Sequence, residues 1–363
     1  MLTSMNLKES VSDLVFIIRV PIEGVEFAVN ESAKLSKAWA KIATILNSLG
    51  NPWMLPRNYR RELVALASTY FSAGSDPPGI TFLALMNKYT SLLNQQIDFQ
   101  TQALVAITVL SIMIGILSFL IILGVPSIVG VLGIALVPVI HYFQVEITKY
   151  DYKKPSIAGG AITGTVGYAI SYLSHLGIER TVIVTLLGFG VGFAVFYVPQ
   201  LLRFARDYAG LGSRVLRSFG ELLSSPSPES PRPITIIEKE LMPLWDYAYS
   251  VGVRDFVERI VMVVSAFIDY VKRSIMTGLI YGPFITIGYA FMLFTVYVLA
   301  SLNAGTALIN VPMPITFNIS NLSTALVVLA VSTAILTGKA MHSVGLGIVL
   351  MPIFLAPLIP LVW

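Results

Sequence analysis

The side chains that could do acid–base or metal chemistry are few and far apart in this sequence. The chain of 363 residues contains three histidines, His141, His175 and His342, and no cysteine. A protein zinc site needs at least three side-chain ligands, so histidines on three separate segments do not predict a metal site. The lack of cysteine excludes disulfide bonds and thiol catalysis.

Nucleotide chemistry has no motif here either. The sequence contains no Gly-x-x-x-x-Gly-Lys-Ser/Thr loop to cradle phosphates and no His-Glu-x-x-His pair. Its long apolar stretches hold no carboxylate and no Lys or Arg, whereas ion-coupled carriers and pumps keep such groups inside the bilayer. We therefore expect a protein that is not an enzyme, needs no cofactor and does not hydrolyse ATP.

Glycines recur at short intervals in two apolar segments, at Gly160, Gly164 and Gly167 and again at Gly188 and Gly192. Glycines three or four residues apart let helices approach closely in lipid. Packing within one chain is the simpler interpretation. A subunit interface, or a surface that holds a partner's transmembrane helix, is the alternative.

Basic residues cluster beside the apolar stretches. They are Lys149, Lys153, Lys154, Arg203, Arg206, Arg214 and Arg217. Cations just inside a membrane orient the protein and contact anionic lipid head groups, worth about 1 kcal/mol each. The net charge of +4 and the pI near 9.1 therefore indicate membrane topology, and we expect no nucleic-acid partner.

The elements that carry these residues are predicted to be membrane helices. The chain is 55% hydrophobic and 12% charged, against about 25% charged in soluble domains. A span needs about 20 mostly apolar residues. Seven spans are predicted near residues 102–123, 127–144, 156–175, 181–199, 275–300, 322–338 and 341–362. The predicted fold class is an all-α, polytopic membrane protein with two small cytoplasmic helical bundles.

The distribution of Lys and Arg places the N-terminus in the cytoplasm of a plasma-membrane protein. Four parts follow: a cytoplasmic segment 1–101, four spans in 102–199, a second cytoplasmic segment 200–273 and three spans in 274–363. The loop before the sixth span is then external. Its sequons at Asn318 and Asn321 are candidate glycosylation sites, although a chance match is the alternative.

Each cytoplasmic segment is predicted to be helical. In the first, helices are expected over 32–47, from about Tyr59, and from Thr81 into the first span.

In the second cytoplasmic segment, a Ser/Pro linker at 224–233 is expected to be extended and mobile. Two helices at 235–249 and 255–273 follow, separated at Gly252. Aligning Leu92-Leu93 with Phe267-Ile268 superposes the two places where a cytoplasmic helix continues into the membrane, which suggests a duplicated unit.

Four segments of the sequence together resemble a known family. They are 61–123 with Tyr89, Leu92 and Leu93; 141–144 followed by 150–155; 249–299 with Gly252; and 337–339 with Gly345. This layout resembles the F-domain proteins of type II secretion and type IV pilus machines, in the archaeal branch that includes the archaellum and tight-adherence platform proteins. Two features depart from the pattern: no span precedes the first cytoplasmic block, and the Ser/Pro linker interrupts the second.

The resemblance implies a scaffold. A cytoplasmic hexameric ATPase would dock on the cytoplasmic segments and drive pilin-like subunits out of the membrane, on a platform that is a dimer or trimer. The seven basic residues named above become candidate ATPase-docking residues. The alternative is the membrane component of a transporter driven by a separate ATPase. A membrane enzyme acting on lipid would need an intramembrane acid or a paired histidine, and the sequence has neither.

Overall fold

The computed structural model describes residues 7–49, 52–56, 58–72, 78–121, 154–225, 228–252, 254–291, 293–294, 297–298 and 319–359. Within these residues every regular element is helical, which confirms the predicted all-α class. The second predicted span at 127–144 lies outside the described residues, as do Lys149, Lys153 and Asn318.

Twelve α-helices occur in the described residues. They are α1 (Leu7–Glu23), α2 (Val25–Leu35), α3 (Lys37–Leu49), α4 (Tyr59–Ser72), α5 (Pro78–Ile121), α6 (Lys154–Leu173), α7 (Ile178–Ala209), α8 (Leu211–Ser224), α9 (Ile236–Val251), α10 (Arg254–Tyr281), α11 (Ile319–Ala340) and α12 (Val344–Leu355). Short 3₁₀ turns lie at Pro52–Met54, Pro283–Ile285 and Ala356–Leu358.

Local chemistry explains several helix ends. Gly252 ends α9 with φ of 64°, and Gly24 joins α1 to α2 with φ of 85°; glycine reaches this region without the steric cost of a side chain. The single helix expected over 32–47 is divided at Ser36. The Ser36 hydroxyl accepts a hydrogen bond from the Ala38 amide at 3.2 Å, which favours a new helix start.

The described residues form two compact units. The polar unit contains those in 1–98 and 204–274, and the apolar unit contains those in 99–121, 154–203 and 275–359. The predicted boundaries at 101/102, 199/200 and 273/274 lie within four residues of these divisions. The two cytoplasmic segments, expected as separate bundles, belong to one unit.

Contacts between α1 and α9 join the two cytoplasmic segments within the polar unit. The Arg19 guanidinium lies 3.9 Å from the centre of the Tyr247 ring, and the Tyr247 hydroxyl donates to Glu23 at 2.8 Å. Arg19 also pairs with Glu23 and Glu31 at 3.3 and 3.4 Å. A cation–π contact of this kind is worth about 0.5–2 kcal/mol, so the segments are held by polar chemistry as well as by burial.

Helix α5 contacts α10 in the polar unit, and in the apolar unit it contacts the 3₁₀ turn at Pro283–Ile285 that follows α10. In the polar unit, the Tyr270 hydroxyl donates to Gln96 at 3.0 Å, and Arg259 lies 5.7 Å from the centre of the Phe82 ring. In the apolar unit, the Ser111 hydroxyl donates to the Ile285 carbonyl at 2.7 Å. Both hydrogen bonds join residues 174 positions apart. This offset is one less than that of the Leu92–Phe267 alignment, whereas Phe82 and Arg259 are 177 positions apart.

Three of the described helical stretches are long and apolar enough to cross a membrane. They are Gly79–Met113, Ile178–Ala209 and Arg254–Phe291. No more than 33% of the most apolar window of any of them is buried, so much of their apolar surface faces outward. Leu326–Ala340 and Val344–Leu358 are apolar but shorter, at the positions of the sixth and seventh predicted spans. Helix α6, at the third predicted span, has 20 residues but contains several glycine, serine and threonine residues among the apolar ones.

Helices of the apolar unit meet through small residues. A Cβ added to Gly347 of α12 would lie 2.7 Å from the Ala334 carbonyl oxygen of α11, and one added to Gly190 of α7 would lie 2.6 Å from the Pro352 ring. The core around these contacts includes Ile183, Leu329 and Phe354. Close approach at these glycines and the apolar side chains around them together hold α7, α11 and α12.

Candidate functional site

The basic residues selected from the sequence are found in different settings. Arg203 and Arg206 lie on the last turns of α7, and both are exposed, with 81% of the Arg206 side chain accessible. The nearest acid to Arg206 is Asp207, at 3.8 Å. Lys154 is exposed on the first turn of α6. These positions can meet a lipid head group or a protein partner without rearrangement.

Arg214 and Arg217 share α8 but differ in their contacts. The Arg214 Nε atom lies 2.7 Å from Glu238 of α9, and its Nη2 atom lies 2.5 Å from the Asp207 carbonyl oxygen. Arg217 is 82% exposed. Among the ion pairs of the described residues, it contacts only Glu221, one turn away, at 3.1 Å. Arg214 therefore ties α8 to α9, whereas Arg217 presents its charge to the surroundings.

Glu238 is placed for this contact by the start of α9. Thr235 caps the helix: its hydroxyl accepts from the Glu238 amide at 3.2 Å, while the Glu238 carboxylate accepts from the Thr235 and Ile234 amides at 2.6 and 2.7 Å. Partial burial raises the pKa of Glu238, but the hydrogen bonds from Arg214 and these amides outweigh burial and hold its pKa below the usual value. Glu238 is thus an ionised partner for Arg214 at neutral pH.

The predicted packing glycines lie at the contact between α6 and α7. Cβ atoms added to Gly160, Gly167 and Gly188 would lie 3.0 Å or less from backbone oxygens of the facing helix. Gly164 faces Phe189, and Gly192 faces Thr163. The Thr163 hydroxyl lies 2.7 Å from the Gly188 carbonyl oxygen. All five glycines thus lie at a helix pair within one chain.

The turn between α11 and α12 gathers polar side chains that sequence reasoning did not select together. The Ser343 hydroxyl caps α12 and is hydrogen bonded to the buried Tyr197 hydroxyl of α7. The His342 Nε2 atom lies 3.3 Å from the Gln100 Nε2 atom of α5. The turn therefore contacts α5 and α7, and a lone histidine with one amide neighbour supplies hydrogen bonds rather than a metal site.

A second missed cluster surrounds Asp13 in the polar unit. The fully buried carboxylate accepts hydrogen bonds from Trp39 at 2.7 Å, Tyr59 at 2.7 Å and Arg60 at 2.8 Å. Arg60 also contacts Glu9 at 3.2 Å. Burial raises the pKa of Asp13, and the charge of Arg60 and these hydrogen bonds oppose the rise. The sequence signal is a carboxylate directly before the apolar run Leu14–Ile18 of α1.

The described residues offer little for catalysis. They include no group of three or more His, Cys, Asp or Glu side chains that could hold a metal ion. The candidate glycosylation residue Asn321 lies in the first turn of α11.

Comparison with protein-family models, curated proteins and solved structures finds no match for this chain. The chain's own geometry is therefore the basis for assigning a function.

Proposed function

We propose that this chain is the integral membrane platform of a type IV pilus-like or type II secretion-like assembly machine. In this role it couples a cytoplasmic hexameric ATPase to the insertion of pilin-like subunits into a filament. It crosses the plasma membrane seven times with its N-terminus in the cytoplasm, catalyses no reaction itself and works as a dimer or trimer.

The observation that carries the proposal is the continuity of α5 and α10. The division between the polar and apolar units falls inside both helices, after Asp98 and after Ser274. Such a helix keeps its backbone hydrogen bonds across the division. A displacement of one end is therefore transmitted to the other end. A platform that converts ATPase movement into movement within a membrane needs such elements.

The surface of the apolar unit suits hydrophobic partners. Ile162 and Leu173 of α6 are 66% and 76% exposed, and Val195 of α7 is 63% exposed. Exposed apolar surface on this scale marks contact with lipid or with another apolar helix. Pilin-like subunits leave the membrane through their apolar helices, so a platform must offer them a surface of this kind.

The candidate docking residues differ in how available their charges are. Arg206 and Arg217 are more than 80% exposed, and their contacts with neighbouring acids are of the exposed type, worth about 0–1 kcal/mol. Arg214 is already used by Glu238. We therefore place the ATPase contact on Arg206 and Arg217 of the polar unit and assign Arg214 to the support of α8. Arg203 and Lys154 of the apolar unit remain separate candidates.

The alternative function is the membrane component of a transporter with a separate ATPase. The observation in its favour is the pair of polar contacts inside the apolar unit, Gln100 with His342 and Tyr197 with Ser343. If these polar groups line a translocation path, vesicles that contain the chain should take up a substrate. A platform protein does not carry out such uptake.

The test is capture of the secretion-type ATPase by the detergent-solubilised full chain. Arg206→Glu with Arg217→Glu should lower capture several-fold and weaken its salt dependence, because charges at the rim of an interface set encounter and specificity. The matched control is Arg232→Glu with Arg254→Glu, which makes the same charge change at two exposed positions of the polar unit.

Equal capture by both double variants would remove the docking assignment. Failure of the unaltered chain to capture any ATPase or pilin-like subunit would overturn the platform function, and ATP-driven solute uptake by reconstituted vesicles would favour the transporter.

A further inference from the structure

A groove of about 670 Å³ lies along one side of the α6–α7 hairpin, close to its turn. Its walls come from the last turns of α6 and the first turns of α7, and its lining includes Tyr172, His175, Thr181, Val182 and Leu186. Small-molecule sites in proteins have volumes of about 300–1,000 Å³ and are mostly apolar with a few polar groups. The groove has the size and composition of a binding site.

The lining changes character along the groove. Near the turn its lining includes Tyr172 and His175, whereas the Thr181 hydroxyl donates to the Gly177 carbonyl at 3.1 Å. Further along α7 the lining includes Val182 and Leu186, which are four residues apart and so on the same helix face. Thr185 lies between them, and its hydroxyl donates to the Thr181 carbonyl at 2.7 Å. From Thr181 to Leu186 the helix advances about 7 Å. One end therefore suits a polar group, and the other suits a hydrocarbon.

The surroundings of the groove indicate where its ligand comes from. Helix α7 is one of the three stretches of membrane length. The α6 surface beside the groove is apolar, with Ile170 and Leu173 56% and 76% exposed. Tyr168 and Tyr172 stack with ring centres 6.4 Å apart, and tyrosine is enriched where a membrane meets water. A groove that opens on this surface, at the end of a span, faces both lipid head groups and acyl chains.

We propose that this groove binds a membrane lipid. One acyl chain lies against Val182 and Leu186, and the head group accepts hydrogen bonds from the Tyr172 hydroxyl and His175. The site is independent of the platform function, because it requires only that the α6–α7 hairpin is in a membrane.

The full chain, reconstituted in phospholipid vesicles, can be tested with a phospholipid that carries a diazirine on one acyl chain. Photolysis followed by peptide mapping should place the label between residues 168 and 186 in preference to other exposed parts of α7. Val182→Trp fills the groove and should lower labelling there about tenfold, as expected when roughly two methylene groups lose apolar surroundings. Tyr172→Phe should lower it less, because it removes only the hydroxyl.

The matched control is Val191→Trp, which adds the same side chain at an exposed position on α7 outside the groove. It should leave labelling at 168–186 unchanged. Equal loss in both tryptophan variants, or uniform labelling along α7 of the unaltered chain, would overturn the proposal. Protection of the groove by a copurifying protein helix would also overturn it. If Val182→Trp does not fold, the labelling map of the unaltered chain and the Tyr172→Phe variant still decide the question.

Discussion

Polar residues of this chain fall into two energetic classes. Asp13, with no exposed side-chain surface, is surrounded by hydrogen-bond donors from α3 and α4. Arg254 and Glu258 form a pair that is mostly exposed. An exposed pair contributes little to stability because water screens the attraction between its charges. Removal of one partner from a buried pair leaves an uncompensated charge in the interior, so Asp13 supports the polar unit in a way that surface pairs do not.

We predict that Asp13→Asn lowers the unfolding free energy by about 3 kcal/mol, since the buried Arg60 then keeps only the partly exposed Glu9 as a counter-charge. The measurement is denaturant unfolding of the full chain in mild detergent. Fluorescence reports the site in a background in which Trp53, Trp245 and Trp363 are replaced by Phe, because the indole nitrogen of the remaining Trp39 donates to Asp13.

The control for Asp13→Asn is Arg254→Gln, which breaks an exposed pair and should cost less than about 1 kcal/mol. A cost for Asp13→Asn as small as that of the control would show that the buried cluster contributes no net stability.

At the scale of elements, the two units are held together by different means. The polar unit buries large side chains such as Phe16, Trp39 and Phe82, as expected where water drives apolar groups together. In the apolar unit, helices α6 and α7 meet through glycines and the Thr163 hydroxyl. Lipid gives no hydrophobic drive between helices, so close packing and interhelical hydrogen bonds must supply the association. The contrast agrees with a water-exposed unit joined to a lipid-exposed one.

The glycine contact leads to a prediction at Gly188. An added Cβ would lie 2.7 Å from the Thr163 carbonyl oxygen, so Gly188→Ala must push α6 and α7 apart and should cost about 1–3 kcal/mol. The measurement is the thermal unfolding midpoint of the full chain in detergent.

Gly177 in the turn of the same hairpin provides the control for Gly188→Ala. A Cβ there meets nothing within 4 Å, so Gly177→Ala should leave the midpoint nearly unchanged. Matching shifts for the two variants would mean that close approach at Gly188 is not required.

Helix positions could be predicted where the sequence carries a local signal, and contacts could not. The helix start near Tyr59 and the break at Gly252 each depend on residues within one turn. The Asp13 cluster depends on partners 26, 46 and 47 residues away, and the pairing of Arg214 with Glu238 spans 24 residues. The glycine spacing predicted a packing face but not its partner, because periodicity identifies one face of a helix without naming the opposite one.

At the scale of the whole molecule, the charged residues are concentrated in the same parts of the chain that form the polar unit. Residues 7–98 and 204–274 carry most of the ionisable side chains. The divisions fall inside the candidate spans, near the middle of Gly79–Met113 and Arg254–Phe291 and six residues before the end of Ile178–Ala209. The positive-inside rule predicts an orientation with the polar unit in the cytoplasm.

This orientation predicts the reactivity of single cysteines, which is simple to test in a chain without any. An impermeant thiol reagent on whole cells should label Ser174→Cys in the α6–α7 turn and should not label Ser48→Cys or Ser224→Cys. All three serines are exposed, so each site reacts once the membrane is opened. Ser32 is unsuitable, because it is fully buried.

Labelling of Ser224→Cys in intact cells would invert the proposed topology. Permeabilised cells, in which all three cysteines should react, provide the control for accessibility.

Helix α5 makes its polar contacts with this part of the chain through unlike partners: Gln96 with the Tyr270 hydroxyl of α10, and the Ser111 hydroxyl with the Ile285 carbonyl in the 3₁₀ turn after α10. In a dimer of identical chains, the same residue would have to serve both sides of such a contact. Joining both helices in one polypeptide removes that constraint, so an amide can face a phenol and a hydroxyl can face a carbonyl. Contacts between unlike groups of this kind favour pairing of the two different segments over pairing of either segment with a copy of itself.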